Sequence, residues 1–175
     1  IFKWRVSMKT GSEKKQMIDI WDSHFHVWDI SENTNSGHDA EQLFPPKDNP
    51  VYSMESYSND IKEAGSRFRH IGGAFCEAVS ACHVGMIGDE YISKCIEETR
   101  YASNEMNSAK TKNIIISTAP LEHANIVKIL TSLAEDPLVR GIRQILNFEP
   151  PWPRNKQQGD LLLDPKWQKG YAELK

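Results

Sequence analysis

The chain has 175 residues, of which 26% are charged and 39% are apolar, and its formal net charge at pH 7 is −3. This length suffices for one domain with a sizeable core. The slightly acidic balance, without a stripe of Lys and Arg, argues against nucleic-acid binding, and no stretch approaches the roughly 18 apolar residues that a membrane-spanning helix requires.

The first part of the sequence, residues 1–16, is polar and basic and predicts a disordered leader. It lacks the apolar segment of a signal peptide. The three cysteines, Cys76, Cys82 and Cys95, have no Cys-x-x-Cys spacing. This pattern favours reduced thiols, and therefore a cytoplasmic protein, over a disulfide framework or a zinc knot.

A short apolar strand is predicted over residues 17–22, and His24 and His26 follow it directly. Side chains alternate between the faces of a strand. Asp22, His24 and His26 are therefore expected on one face. Residues 29–53 are rich in Asn, Gly, Asp and Pro and predict a long loop, a length that is uncommon unless the loop is functional.

Strands and helices alternate in the rest of the chain. Strands are predicted over residues 68–80, 113–119 and 139–146. Helices are predicted over 54–65, over 89–106 with Asp89 as N-cap, after Pro120 with Ile126, Val127, Leu130 and Leu133 at helical spacing, and from Asp164-Pro165 onward. The run of isoleucines at 114–116 favours a strand that is covered on both faces. The order βαβαβαβα predicts an α/β fold with a parallel sheet and right-handed crossovers.

Two architectures fit this order: a small doubly wound domain, or the first half of a (β/α)8 TIM barrel. A complete barrel needs about 250 residues, whereas four βα units occupy this chain of 175. The last predicted helix has hardly begun when the sequence stops. We therefore expect residues 17–175 to form the N-terminal half of an incomplete barrel.

His24 and His26 are the first candidates for chemistry. They lie at the carboxyl end of the predicted first strand, which is where barrel enzymes build their sites. Two neutral imidazoles at that place can converge on one divalent cation such as Zn²⁺. The alternative is a pair of solvated histidines at a strand end.

Arg143 and Glu77 are the second pair of candidates. Near the end of the fourth strand, Arg143 is expected to bind a substrate carboxylate or carbonyl oxygen through paired hydrogen bonds, or else to form a salt bridge with a neighbouring strand. Glu77, on the second strand, is expected either to act with the histidines or to pair with Arg143. Arg140 is given a structural role, and His70 a capping or surface role.

Other histidines and two tryptophans lie in predicted loops or at helix starts. His38 and His123 are expected to be solvated, and His83 lies close to the predicted mouth after strand two. Trp28 and Trp152 follow strands one and four. They are expected to line a pocket or, more commonly, to pack against loops.

The sequence DSHFHVWD, after its apolar strand, resembles the opening motif of the amidohydrolase-related metal-dependent hydrolases of TIM-barrel fold. It is most similar to the branch that holds sugar-acid lactonases and 2-pyrone-4,6-dicarboxylate lactonase. The stretches GGAFCEAVS, IISTAPLEHANIVKIL and VRGIRQILNFEP resemble that branch in order and spacing. The resemblance covers roughly residues 17–175.

The resemblance implies a hydrolase that opens a cyclic ester, or less often an amide or C–C bond, of a small molecule by activated water. His24 and His26 match the family's first-strand pair, which binds a divalent metal in some members and substrate oxygens in others. Arg143 matches a strand-four arginine that faces the substrate. Glu77 matches a strand-two glutamate whose role varies between branches.

The family's later histidine, and the aspartate that serves as its general base, would lie beyond Lys175. General acid–base steps contribute about 10²–10⁴-fold each, so the 175-residue chain is expected to be an inactive fragment. The alternative is a non-catalytic α/β domain that binds a ligand or a partner. A flavodoxin-like nucleotide binder is disfavoured, because no βα turn carries a phosphate-cradling glycine pattern.

Overall fold

The computed structural model describes residues 16–31, 48–78, 88–146, 148 and 159–174. The predicted leader up to residue 15 and most of the predicted loop at 29–53 lie outside these ranges, as do His38, His83 and Trp152.

Strands and helices alternate along the described chain as the sequence predicts. The strands are β1 (Ile18–Phe25), β2 (Trp28–Asp29), β3 (Val51–Tyr52), β4 (Phe68–Cys76), β5 (Lys112–Ser117) and β6 (Val139–Ile142). The helices are α1 (Met54–Glu63), α2 (Gly88–Ser108), α3 (Ile126–Ala134) and α4 (Pro165–Tyr171), and a 3₁₀ turn at Leu161–Leu163 precedes α4. None of the described helices has the length and apolar character needed to cross a membrane.

Local side-chain contacts explain several helix ends. The Ser53 hydroxyl accepts a hydrogen bond from the amide three residues on, which caps α1. That helix stops before Gly65, whose φ of +130° suits glycine. Asp164 caps α4 as predicted, with a proline at the first helical position. The N-cap prediction for Asp89 is wrong, because this residue lies inside the first turn of α2.

The four long strands form one sheet in the order β1-β4-β5-β6, and every pair is parallel. A separate two-stranded ribbon pairs β2 with β3. The α/β class and the parallel sheet are therefore confirmed. A doubly wound sheet reverses its strand order at a switch point, and the four described strands show no such reversal.

One face of the sheet packs against helices α1 and α2. Phe25, Phe75 and Ile115 are neighbours in register and are buried in a cluster with Met54 of α1 and Met106 of α2. A second cluster joins α3 and α4 beyond β5. On the other face, Ile114 and Ile116 are only half-buried by the described residues. The prediction of a strand covered on both faces is thus met on the helix side alone.

The helix predicted from the spacing of Ile126, Val127, Leu130 and Leu133 is confirmed as α3, and it buries one face. Ile126, Ile129 and Leu133 point into the core, whereas the Val127 side chain is 58% exposed. Residues three and seven positions apart share a helix face, but adjacent residues are turned by about 100° from each other. Burial of Ile126 therefore turns Val127 toward solvent.

β1 is longer than predicted, and its pairing with β4 shifts register twice, between Ile20 and Trp21 and between Asp22 and Phe25. Asp22 pairs with Gly73 and Phe25 pairs with Phe75, so three steps along β1 match two steps along β4. This extra residue is a β-bulge, which reverses the alternation of side chains. Asp22 and Phe25 consequently both contact Tyr57 of α1, and the prediction that Asp22 shares a face with the histidines is wrong.

Candidate functional site

Four candidate residues lie at the carboxyl ends of the parallel strands. His24 is close to the end of β1, and His26 follows that strand. Glu77 comes directly after β4, and Arg143 directly after β6. Because the strands are parallel, these ends meet at one edge of the sheet, where α/β proteins bind ligands.

The two imidazoles converge. The Nε2 atoms of His24 and His26 are 3.1 Å apart, with ring centroids separated by 4.9 Å and planes inclined at 70°. His24 is exposed, whereas His26 is half-buried. The bulge in β1 includes His24, and an Asp22 carboxylate oxygen accepts a hydrogen bond from the His24 amide at 3.0 Å.

The backbone fixes the tautomer of His26. Its Nδ1 atom lies 2.8 Å from the Cys76 carbonyl oxygen. A carbonyl oxygen only accepts, so Nδ1 carries the proton and Nε2 presents a lone pair toward His24. Burial lowers the pKa of the His26 imidazole from its ordinary 6.5, and the charges of His24 and Arg143 act in the same direction, against the Cys76 hydrogen bond. His26 is therefore neutral near pH 7.

The histidine pair has the geometry of two metal ligands. With metal–nitrogen distances of about 2.0–2.1 Å, a spacing of 3.1 Å gives an angle of about 100° at the ion, close to tetrahedral. The hydrogen bond from His26 Nδ1 to a backbone carbonyl is the usual outer support of a histidine ligand. Within the described ranges, however, no three His, Cys, Asp or Glu side chains are grouped so that they could hold an ion.

Arg143 and Glu77 form an ion pair beside the histidines. The Arg143 Nη1 atom lies 3.5 Å from Glu77 Oε1 and donates to the Glu77 carbonyl oxygen at 3.1 Å. The Glu77 side chain is buried, whereas that of Arg143 is 34% exposed. The Arg143 amide continues the sheet by donating to the Ser117 carbonyl at 2.8 Å. Of the two alternatives for Glu77, the structure shows the pairing with Arg143.

Asp22 and Tyr57 adjoin the histidine pair, and neither was a site candidate from the sequence. The Tyr57 hydroxyl donates to the second carboxylate oxygen of Asp22 at 2.6 Å, and its ring stacks on Phe25 with centroids 4.7 Å apart. Burial raises the pKa of the Tyr57 hydroxyl, and the hydrogen bond to Asp22 adds to this effect. The position of Asp22 two residues before His24 was the available signal.

His70 is not a surface residue as predicted. Its ring meets the rings of Tyr57 and Phe25 edge-on, at centroid distances of 5.2 and 6.4 Å. Its Nε2 atom is buried without a hydrogen-bond partner among the described residues. Burial lowers the pKa of the His70 imidazole. His70 is partly buried because the bulge in β1 brings Phe25 and Asp22 over this part of β4.

The remaining candidates lie apart from the histidine pair. Trp28 stacks on Tyr52 and donates from Nε1 to a backbone carbonyl at 2.9 Å, so it packs against neighbouring chain. His123 is partly buried, 3.8 Å from an Asp89 carboxylate oxygen, which corrects its predicted solvation. Arg140 is exposed and contacts the Val139 carbonyl of its own strand.

Comparison with known proteins gives the chain no family. No protein-family model matches it, and neither the curated proteins nor the solved structures contain a significant match. The resemblance to amidohydrolase-related enzymes therefore depends on the quoted motifs alone.

Proposed function

We propose that His24, His26, Arg143 and Glu77 form part of a hydrolase active site that opens a cyclic ester of a sugar acid or related carboxylate. The observation that carries this proposal is the convergence of the two Nε2 atoms, 3.1 Å apart, at the carboxyl edge of a parallel sheet. In the metal-free protein the same two atoms are within hydrogen-bond distance of each other, and a divalent ion would replace that contact.

The proposed fold is the first half of a (β/α)8 barrel. Two observations support it: the strand order advances one step at a time, and helices α1 and α2 pack on the same face of the sheet. In a barrel, the opposite face lines the interior, where branched apolar side chains are stacked in layers. Ile114 and Ile116 lie on that face.

The histidines are proposed to hold one divalent ion such as Zn²⁺, with further ligands from outside the described residues. An ion held there would supply Lewis-acid polarisation of an ester carbonyl. Arg143 would orient the substrate carboxylate through donors other than Nη1, which already contacts Glu77. Glu77 would act as a positioning residue that holds the guanidinium at the edge of the sheet.

A non-catalytic ligand-binding domain is the second candidate, and one observation favours it. The described residues supply two metal ligands and no group of three, which is a weak site by the standard of catalytic zinc enzymes with three protein ligands. Such a domain would still bind hydroxy acids through Arg143 and the histidine pair.

We also propose that the protein acts in the cytoplasm. Cys76 and Cys95 are buried and form no disulfide in the described part of the chain. Free thiols of this kind persist in reducing compartments.

A turnover assay separates the two candidate functions. The full-length protein is supplied with Zn²⁺ and a panel of sugar-acid lactones. We expect turnover, reduced about 10²–10⁴-fold by His24→Ala or Arg143→Met. Hydroxy-acid binding without turnover would favour the binding domain and contradict the hydrolase.

A further inference from the structure

Asp22 contacts both the histidine segment and the helix layer. Its Oδ1 atom accepts a hydrogen bond from the His24 amide at 3.0 Å, and its Oδ2 atom accepts one from the Tyr57 hydroxyl at 2.6 Å. One carboxylate therefore ties the bulge that carries His24 to a side chain of α1. One oxygen of Asp22 contacts the backbone of β1, and the other contacts α1.

The contact with Asp22 is made by the backbone amide of His24, so it acts on the segment that carries the ring. An Asp side chain that accepts from the amide two residues on closes an Asx-turn, which fixes the local backbone. Between Asp22 and Phe25 the β1–β4 register shifts, so the sheet ladder alone does not hold this segment in regular alternation. The Asp22 carboxylate restrains the backbone at His24, where regular hydrogen bonding to β4 is interrupted.

Tyr57 is itself held in place. Its ring stacks on Phe25 with planes inclined at 14° and meets His70 edge-on. A hydroxyl on an anchored ring gives Asp22 a fixed partner, and hydrogen bonds to an ionised carboxylate are roughly twice as strong as neutral ones. The result is a connected path of contacts from α1 through Asp22 to His24.

We infer that Asp22, anchored by Tyr57, is a positioning residue that makes the His24 and His26 imidazoles converge. This inference rests on the proposed function, since it assigns Asp22 and Tyr57 to that same site. Outer partners of metal-binding histidines have a comparable role in other sites, and their loss lowers metal affinity about 10–100-fold.

The test uses nuclear magnetic resonance on the metal-free protein, followed by Zn²⁺ titration calorimetry. The first readout is the nuclear Overhauser effect between the ring protons of His24 and His26, together with the His26 tautomer. Asp22→Ala removes both hydrogen bonds, Asp22→Asn retains an oxygen for the His24 amide, and Tyr57→Phe retains the ring stack. Asp19→Ala is the matched control, because Asp19 lies on the same strand and pairs with exposed Arg69.

We expect Asp22→Ala to abolish the ring-to-ring signal and to weaken Zn²⁺ binding about 10–100-fold. Tyr57→Phe should reduce the signal and lie at the low end of that range. Asp22→Asn keeps one oxygen for the His24 amide but loses the charged acceptor of the Tyr57 hydroxyl, so it should resemble Tyr57→Phe, whereas Asp19→Ala should keep both readouts near wild type. An unchanged signal in Asp22→Ala and Tyr57→Phe would overturn the inference, even with a lower melting temperature. If Asp22→Ala does not fold, Tyr57→Phe alone decides.

The outcome is separable from that of the proposed function. The ring-to-ring signal is measured without substrate or metal, so a chain that opens no lactone can still show the dependence on Asp22. Conversely, the protein could open lactones while the ring-to-ring signal stays unchanged in Asp22→Ala and Tyr57→Phe. That result would support the hydrolase and reject the positioning role of Asp22.

Discussion

Replacement of Arg143 by Met tests the ion pair at the edge of the sheet. Met removes the guanidinium but retains an unbranched side chain of related shape. Glu77 is then left buried without its charged neighbour, since its side chain is 0% exposed and Arg143 Nη1 lies 3.5 Å from its Oε1 atom. The hydrogen bond from Nη1 to the Glu77 carbonyl oxygen is lost as well.

The expected cost is about 2 kcal/mol. Breaking a fully buried ion pair by removing one partner costs about 3–5 kcal/mol. Two features of the structure reduce this value: the Arg143 side chain is 34% exposed, and the 3.5 Å contact is longer than the 2.7–2.9 Å of a charge-assisted hydrogen bond. For a chain of this size, 2 kcal/mol lowers the melting temperature by about 4–8 °C.

A double-mutant cycle in urea measures the pair directly. Glu77→Gln alone should cost about 1 kcal/mol, because the neutral amide keeps the shape and leaves Arg143 partly solvated. The double variant Glu77→Gln/Arg143→Met should be less destabilised than the sum of the single variants, by about 1 kcal/mol. Single effects that add within about 0.3–0.5 kcal/mol would refute a direct interaction between the two charges.

Three further predictions follow from burial and close contacts. Burial lowers the pKa of His26 and of His70 from 6.5. Between the pKa of the folded protein and 6.5, the unfolded chain therefore binds more protons than the folded protein, and the free energy of unfolding should fall as the pH drops from about 7. Urea denaturation at pH 5 and 7.5 measures this fall, which His70→Gln should reduce; an equal fall in the variant would contradict the role of His70. Gly170→Ala places a Cβ 1.8 Å from the Leu121 carbonyl oxygen, so we expect a loss of about 1–3 kcal/mol in thermal unfolding, and a wild-type melting temperature would disprove that contact. Gly73→Ala, with its Cβ 2.5 Å from the Asp22 carbonyl oxygen, should weaken β1–β4 pairing and increase amide exchange in β1, and unchanged exchange would rule out that crowding.

Local signals in the sequence predicted the elements well. The Asp164-Pro165 pair marked the start of α4, because capping and the fixed φ of proline act within one turn. The isoleucine run predicted β5 to within two residues at each end. Strand ends also located His24, His26, Glu77 and Arg143, since a parallel sheet brings successive carboxyl ends to one edge.

Contacts between distant residues explain what the sequence did not predict. The face of Asp22 depends on a bulge that exists only relative to β4, and its partner Tyr57 is 35 residues away along the chain. His70 is half-buried by the same packing. Periodicity assigns faces to an isolated strand and contains no information on where a neighbouring strand shifts the register.

The most direct test of the central claim is Zn²⁺ titration calorimetry on wild type, His24→Ala, His26→Ala and the control His123→Ala, which lies outside the pair. The account predicts one zinc site per chain, lost in the first two variants and retained in the control. Wild-type protein that binds no zinc, or zinc binding that neither His24→Ala nor His26→Ala weakens, would contradict the claim that the two imidazoles together hold a divalent ion.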